Sequence, residues 1–177
     1  MKYIRRLLWF LASRVLVLTV VVSVLVLSFY LAMNAANIYI LLSDGMQART
    51  NTILTREDAD MLPGFFRDEL LNNDEALALG LSDSSPYINY NITSFESNVS
   101  LEWIWSWPWE DVAQATISHT VENIEGSVRS GRSSLVASGE LSADPPEWHG
   151  GRFNVVLERV AGQWKIASMV QTQVFVN

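Results

Sequence analysis

The hydrophobic pattern of the chain begins with one long apolar run. No side chain from Val15 to Ser43 is charged, and most of them are Val, Leu, Ile, Phe or Ala. About 20 apolar residues, each rising ~1.5 Å along a helix, cross the hydrocarbon layer of a bilayer. The run is long enough to cross, so we predict a transmembrane helix over residues 15–37 and a separate domain over 38–177.

Two alternatives remain open for this run. A cleaved signal peptide normally has an apolar stretch of about 7–15 residues and small residues at its cleavage site. The best such site here is Met33-Asn34-Ala35, which begins with a large side chain. The other alternative is a buried helix of a soluble protein.

The charges around the run predict its orientation. Four basic residues and no acidic residue precede it, namely Lys2, Arg5, Arg6 and Arg14. Because positive residues stay inside, we expect a cytoplasmic tail over 1–14 and an extracytoplasmic domain of a single-pass cell-membrane protein. Of 12 Lys and Arg, the 8 beyond the run stand against 19 Asp and Glu, a net charge of −11. Such a domain is a poor candidate for binding nucleic acid, which rewards clustered Lys and Arg.

A helical pattern continues after the anchor, with apolar residues at steps of three and four. They are Ile38, Leu41, Leu42, Met46, Ile53 and Leu54. We expect a kink at Gly45. The segment Thr55-Arg56-Glu57-Asp58 has the pattern of a capping box that opens a new helix. Pro63 suits the start of a further helix that extends through Asn73, and a short helix is predicted over 75–79.

From Tyr87 onward the period changes to 2, which is typical of strands with one buried face. In the first strand one parity carries Phe95, Val99, Leu101, Trp103, Trp105 and Trp107, with Ile104 as the exception. Pro108 should end this strand. The second strand alternates from Ala113 to Val121, and a Gly-, Ser- and Pro-rich connection follows over 126–151. A turn at 161–163 separates the third strand from the fourth, which extends to 176.

Helices followed by antiparallel strands predict an α+β fold. After the N-terminal transmembrane helix, we expect two or three helices packed on a curved, four-stranded antiparallel sheet.

This order resembles the nuclear transport factor 2-like superfamily. The resemblance covers residues 38–174 and rests on the helices with Phe65-Phe66, the long first strand and the closing hairpin 151–166, which ends in Gly162-Gln163-Trp164-Lys165-Ile166. It implies a cone-like domain whose open mouth can hold a ligand. One anchor followed by one such domain is also similar in layout to the membrane assembly subunit of type IV secretion and conjugation machines. Some anchored penicillin-binding proteins have a similar N-terminal portion.

Four of the seven tryptophans lie on alternate positions from Trp103 to Trp109. Their shared parity with Phe95 favours burial in the core, where each would cover about 150–250 Å². Two alternatives stay open. Trp105 and its neighbours could form a ligand or partner surface, or they could form a membrane belt, although the nearby acidic residues argue against a belt. Trp109, after the proline, is the best candidate for exposure.

His119 shares the inward parity of the second strand, where burial would shift its pKa. A lone histidine on an apolar face is more often a hydrogen-bonded structural residue than an acid–base group, and both interpretations stay open. His149 is expected in a loop, and the spacing of the two histidines does not indicate a zinc site. The chain has no cysteine, which excludes disulfides and thiolate ligands.

Aromatic side chains also occur in the predicted loops. Tyr87 and Tyr90 precede the first strand, and Trp148 follows Pro145-Pro146. Exposed aromatics suit contacts with a partner or a pocket mouth, but these residues could instead fold back as a lid on the core. Adjacent carboxylates, such as Asp74-Glu75, are expected on the solvated surface.

These features predict a non-catalytic protein of a bacterial envelope or secretion assembly that contacts a partner protein or a second copy of itself. The alternative is a module that binds a small molecule or lipid in the aromatic cone cavity. A variant of this alternative is an enzyme that uses His119 as its acid–base group. A third hypothesis is a structural or sporulation-type envelope component without a ligand. No nucleotide, phosphate or metal motif is found in the sequence, so no cofactor and no metal are expected.

Overall fold

The computed structural model describes residues 2–107 and 109–175. It contains four α-helices, one 3-10 helix and four strands within these ranges. The helices are α1 (Lys2–Thr55), the 3-10 helix (Ala59–Gly64), α2 (Asp68–Asn73), α3 (Glu75–Leu81) and α4 (Ser133–Ala137). The strands are β1 (Tyr90–Ser106), β2 (Val112–Val128), β3 (Gly151–Val160) and β4 (Gln163–Val174).

The strands form one antiparallel sheet in the order β1-β2-β3-β4. Each strand pairs with its neighbour in sequence, which is the arrangement that short connections favour. The predicted α+β class and the four-stranded antiparallel sheet are confirmed.

Helix α1 includes both the predicted anchor and the first helix of the domain. It runs for 54 residues, about 80 Å at a rise of ~1.5 Å per residue. The expected kink at Gly45 was wrong, because α1 continues unbroken through that position. A Cβ on Gly45 would lie 3.2 Å from Cβ of Phe65 and 3.3 Å from Cδ1 of Ile166. The glycine therefore allows close packing rather than a bend.

The two parts of α1 differ in exposure. The described side chains before Asn34 are exposed, whereas one face from Asn34 onward is buried against the sheet. That face supplies the core with Ile38, Leu42, Met46, Ile53 and Leu54, and β2 supplies Ala113, Ala115, Ile117 and Val121. The core of the domain therefore lies between the second half of α1 and the sheet.

The chain after α1 departs from the prediction. Thr55 ends a helix instead of opening one, and Arg56 and Asp58 take left-handed backbone angles (φ 66° and 59°) that turn the chain. Pro63 lies inside the 3-10 helix, and α2 begins only at Asp68. The apolar Phe66 between them forms a parallel bridge to Ile166 instead of lying on a helix. The short helix predicted near Glu75 is confirmed as α3.

Bulges in β1 reverse its side-chain parity. Leu101 pairs with Ile117, but Trp103 pairs with Thr116, so one extra residue is inserted into β1. A one-residue shift moves every later side chain to the other face of a sheet. Ile104, the apparent exception in the sequence, therefore lies on the core side, and the tryptophans that follow the bulge do not.

The core interpretation of the tryptophans was therefore wrong. Trp103 is 49% exposed, Trp105 is 53% exposed and Trp109 is 70% exposed. The expected exposure of Trp109 is confirmed. Pro108 lies outside the described residues, and β1 ends at Ser106.

The second strand and the long connection also differ from their predicted bounds. β2 continues to Val128, beyond the predicted end at Val121, and pairs with the start of β1. The connection that follows contains the short helix α4, where only a loop was expected. The predicted turn before β4 is confirmed, with Ala161 and Gly162 both at positive φ.

Candidate functional site

The interior site predicted around His119 is filled by its own side chains. His119 is 1% exposed, and its Nε2 lies 3.0 Å from the hydroxyl of Ser97 on β1. The ring of Trp148 packs edge-on against it, with centroids 6.3 Å apart. Tyr87 stacks on the other side of Trp148 at 6.5 Å. We call these four residues the His119 cluster.

Burial governs the ionisation of this cluster. It lowers the pKa of His119 from 6.5 to about 4, with a further contribution from the charge of Arg49. It also raises the pKa of Tyr87 to about 12. Both groups are therefore neutral at pH 7. A neutral, enclosed imidazole paired with one serine is typical of the structural role considered for His119.

The two predicted loop tyrosines are not exposed contact residues. Tyr87 and Tyr90 are 5% and 3% exposed, and Trp148 is half-buried. The hydroxyl of Tyr90 donates to the carbonyl of Ser142 at 3.1 Å, which ties the start of β1 to the long connection. The lid alternative is therefore correct for these aromatics, because apolar rings near an open edge of the core gain by covering it. His149 lies in an exposed loop, as predicted.

An open groove lies on the outside of the domain. A groove of about 520 Å³ runs between the exposed side of α1 and the first residues of β1. We call it the outer groove, and its lining includes Asp44, Gln47, Asn51, Asp58, Met61, Phe65, Ile92 and Phe95. It combines apolar side chains with two carboxylates, a composition that suits a partner with apolar and basic groups. The sequence patterns did not point to this groove, because its walls on α1 and β1 are separated by 37 positions or more.

A buried ion pair joins α1 to the start of α3. Nε and Nη2 of Arg49 donate to the two carboxylate oxygens of Asp74 at 2.6 and 2.8 Å, and their side chains are only 6% and 7% exposed. Asp74 also caps α3 by accepting from the amide of Leu77 at 3.0 Å. Burial opposes its ionisation, but Arg49 and the backbone amides outweigh burial and lower the pKa of Asp74. The expectation of a solvated Asp74 was therefore wrong.

A second polar cluster joins α1 to both halves of the sheet. The amide of Asn34 donates to the Ser106 hydroxyl at 2.6 Å, and its oxygen accepts from the indole of Trp164 at 3.0 Å. Arg159 lies over the Trp164 ring, 4.5 Å from its centroid, and reaches the same Asn34 oxygen at 3.4 Å. We call Asn34, Ser106, Arg159 and Trp164 the junction cluster.

The tryptophans beyond the bulge form a stacked group beside the junction cluster. Trp107 lies edge-on to Trp105 at 5.3 Å and parallel to Trp109 at 5.2 Å. These centroid distances are within the range in which aromatic rings attract one another. We call Trp105, Trp107 and Trp109 the tryptophan group. It lies at the end of β1 that is opposite to the outer groove, so the structure does not bring Trp105 or Trp109 together with His119.

The described residues contain no group of three or more His, Asp or Glu placed to hold a metal ion. No protein-family model matches the chain, and no curated protein or solved structure shows significant similarity to it.

Proposed function

We propose that the chain is a single-pass membrane protein with a cytoplasmic N-terminus and an extracytoplasmic, non-catalytic domain. In this proposal the domain binds other proteins as part of a bacterial envelope or secretion assembly. The resemblance to a nuclear transport factor 2-like domain on an anchor, noted in the sequence, is part of the proposal.

The membrane part is supported by the first half of α1. By length and composition it is the one described helix that could cross a membrane, with a mean hydropathy of 2.7 over its most apolar window. None of that window is buried against the rest of the chain. An apolar surface of this size is costly in water but not in lipid. Arg5, Arg6 and Arg14 precede the window, on the side that the positive-inside rule assigns to the cytoplasm.

The protein-binding part is carried by one observation, the outer groove. The His119 cluster fills the space around His119, whereas the groove is open and mixes apolar side chains with carboxylates. The net charge of −11 beyond the anchor favours a basic partner. We therefore expect the groove to bind a segment that offers apolar and basic side chains.

A photo-crosslinking residue placed at Gln47 in living cells tests this proposal. Gln47 is exposed in the groove, and Ala76 on α3 is an exposed control outside it. We expect a discrete adduct from Gln47 and none from Ala76, and we expect Phe95→Arg to remove the adduct. An adduct at twice 19.9 kDa would identify the partner as a second copy. No adduct from Gln47, with the native protein running as a monomer in gentle detergent, contradicts the proposal.

The small-molecule alternative has less support. It places the ligand in the cavity around His119 and Trp105, but His119 is enclosed and Trp105 lies on the outer face of the sheet. Titration of the full-length protein with a lipid and metabolite panel, read by tryptophan fluorescence, tests it. A saturable change that His119→Gln abolishes in a folded protein would favour this alternative.

A further inference from the structure

The end of the apolar run is marked in the structure by the junction cluster. A helix that enters the hydrocarbon at Val15 has covered about 30 Å after 20 residues, which is the thickness of that layer. That point is Asn34, the first buried polar residue of α1. The side chains just before it, Phe29, Leu31 and Met33, are apolar and exposed. If α1 crosses a bilayer from Val15, the outer edge of the hydrocarbon layer would lie at the height of Asn34.

The tryptophan group lies at this same height. A cleft of about 270 Å³ separates α1 from the end of β1, and its lining includes Leu31 and Ala35 on the helix, Trp105 on the strand and Trp107 just after it. The hydrogen bond from Asn34 to Ser106 holds the end of β1 against the helix there. The stacked rings of Trp107 and Trp109 continue beyond that end.

The other side of α1 carries a second contact at the same height. The hairpin between β3 and β4 encloses a cleft of about 350 Å³ against Phe29, Tyr30 and Met33. Arg159 and Trp164 line the hairpin side of this cleft. The two ends of the sheet thus lie on either side of the helix where it leaves the apolar run, and both reach as far as residues of that run.

We propose that the tryptophan group inserts into the outer interface of the bilayer that α1 crosses, so that the sheet rests on the lipid headgroups. This inference depends on the membrane part of the proposed function. Tryptophan favours that interface, because its ring is apolar and its N–H stays hydrated or bonded to headgroups. A stacked group with Trp105 53% and Trp109 70% exposed has little cover from the described chain, and lipid would provide it.

The nearby acidic residues set the depth of this contact. Glu110 and Asp111 are both exposed at the turn that follows the tryptophan group. Carboxylates are costly in hydrocarbon, so they keep the turn among the headgroups, while the rings before them reach the acyl boundary. They also favour zwitterionic lipid over anionic lipid. Their presence is therefore compatible with a shallow belt, although it excludes a deep one.

Quenching by brominated lipid tests the contact in the full-length protein. The Trp9→Phe protein is reconstituted in phosphatidylcholine vesicles with bromine on the acyl chains, since Trp9 lies just before the apolar run, where the inner interface would expose it to the same quencher. Bromine placed near the headgroup end should quench the remaining fluorescence more than bromine placed deep in the chain. Changing Trp105, Trp107 and Trp109 to Phe in the same protein should remove most of this quenching.

Trp148→Phe is the matched control. Trp148 packs on His119. His119 lies six residues along β2 from Ala113, which pairs with the end of β1. At ~3.3 Å per residue, this places Trp148 ~20 Å from the proposed membrane contact. Its loss should leave the quenching of the other tryptophans intact. Equal quenching with and without the tryptophan group, or deep bromine acting most strongly, overturns the inference. Failure of the anchor itself is seen separately, because the protein would then leave alkali-washed vesicles.

Discussion

The buried ion pair between Arg49 and Asp74 allows a sharp test of how the domain is held together. The substitution Asp74→Asn removes the charge but keeps a side-chain oxygen that can cap α3, because Asn caps helices about as well as Asp. The remaining guanidinium of Arg49 is then charged, 6% exposed and unpaired. We therefore expect a loss of stability that comes from the broken ion pair and not from the helix cap.

The expected loss of stability is large for a single substitution. Breaking a buried pair by removing one partner costs about 3–5 kcal/mol, since the other charge is left without compensation. In a chain of this size 1 kcal/mol corresponds to about 2–4 °C in Tm, so Tm should fall by about 10 °C. The assay is thermal unfolding of the full-length protein in mild detergent, followed by the near-ultraviolet circular dichroism of its tryptophans.

Asp83→Asn is the matched control. The side chain of Asp83 is fully exposed and lies 4.0 Å from Arg56, a surface pair of the kind that contributes little to stability. Adding Arg49→Met to Asp74→Asn removes the unpaired charge and should recover part of the lost stability. If Asp74→Asn lowers Tm no more than Asp83→Asn does, the reasoning about this pair is refuted.

Two further predictions concern His119 and Gly80. Because the pKa of His119 is lowered from 6.5 to about 4, the unfolded chain binds its proton first, and stability should fall as pH decreases from 6.5 to 4. Melting curves across that range should lose much of this slope in His119→Gln but keep it in His149→Gln, and an equal slope in all three proteins contradicts the assignment. A Cβ on Gly80 would lie 2.8 Å from Cγ2 of Ile53, whereas one on Gly64 would meet nothing within 4 Å. Gly80→Ala should therefore lower stability by about 1–3 kcal/mol while Gly64→Ala changes it little, and comparable denaturant midpoints for the two variants would contradict this.

Hydrophobic periodicity was sufficient to predict the order and type of the main elements. The period of 3.6 in α1 arises because one face of the helix is buried in the core, and the alternation around His119 arises because one face of β2 is buried there. In both elements the hydrophobic pattern therefore follows directly from the packing. The inward orientation of His119 followed from parity alone and is confirmed by its burial. The predicted partner roles of Trp105 and Trp109 stay predictions.

Periodicity could not predict the bulge between Leu101 and Trp103. One inserted residue exchanges the faces of all later positions, and the sequence marks it only by Ile104, an apolar residue on the polar parity. By parity alone Ile104 is the exception to the alternation. In the structure Ile104 stays on the core side, and the tryptophans after the bulge are the residues that change face. An apolar side chain on the wrong parity, followed by an unbroken series of large rings, was the signal that could have indicated it.

The polar contacts that hold the domain together could not be predicted from local sequence patterns either. Arg49 and Asp74 are separated by 25 positions, and Asn34 reaches Trp164 across 130. Taken alone, Arg49, Asp74 and Asn34 are residue types typical of an exposed surface. Their burial follows from how α1 crosses the sheet, which no local spacing encodes.

The most direct test of the central claim is the location of each end of the protein relative to the membrane. Because the chain has no cysteine, one introduced thiol reports the position of one residue to a membrane-impermeant maleimide. Tyr3 and Ser130 are both exposed, one before the apolar run and one in the connection after β2. We expect Ser130→Cys to be labelled on intact spheroplasts and Tyr3→Cys only after permeabilisation. Protection of Ser130→Cys, or labelling of both on intact spheroplasts, contradicts the account.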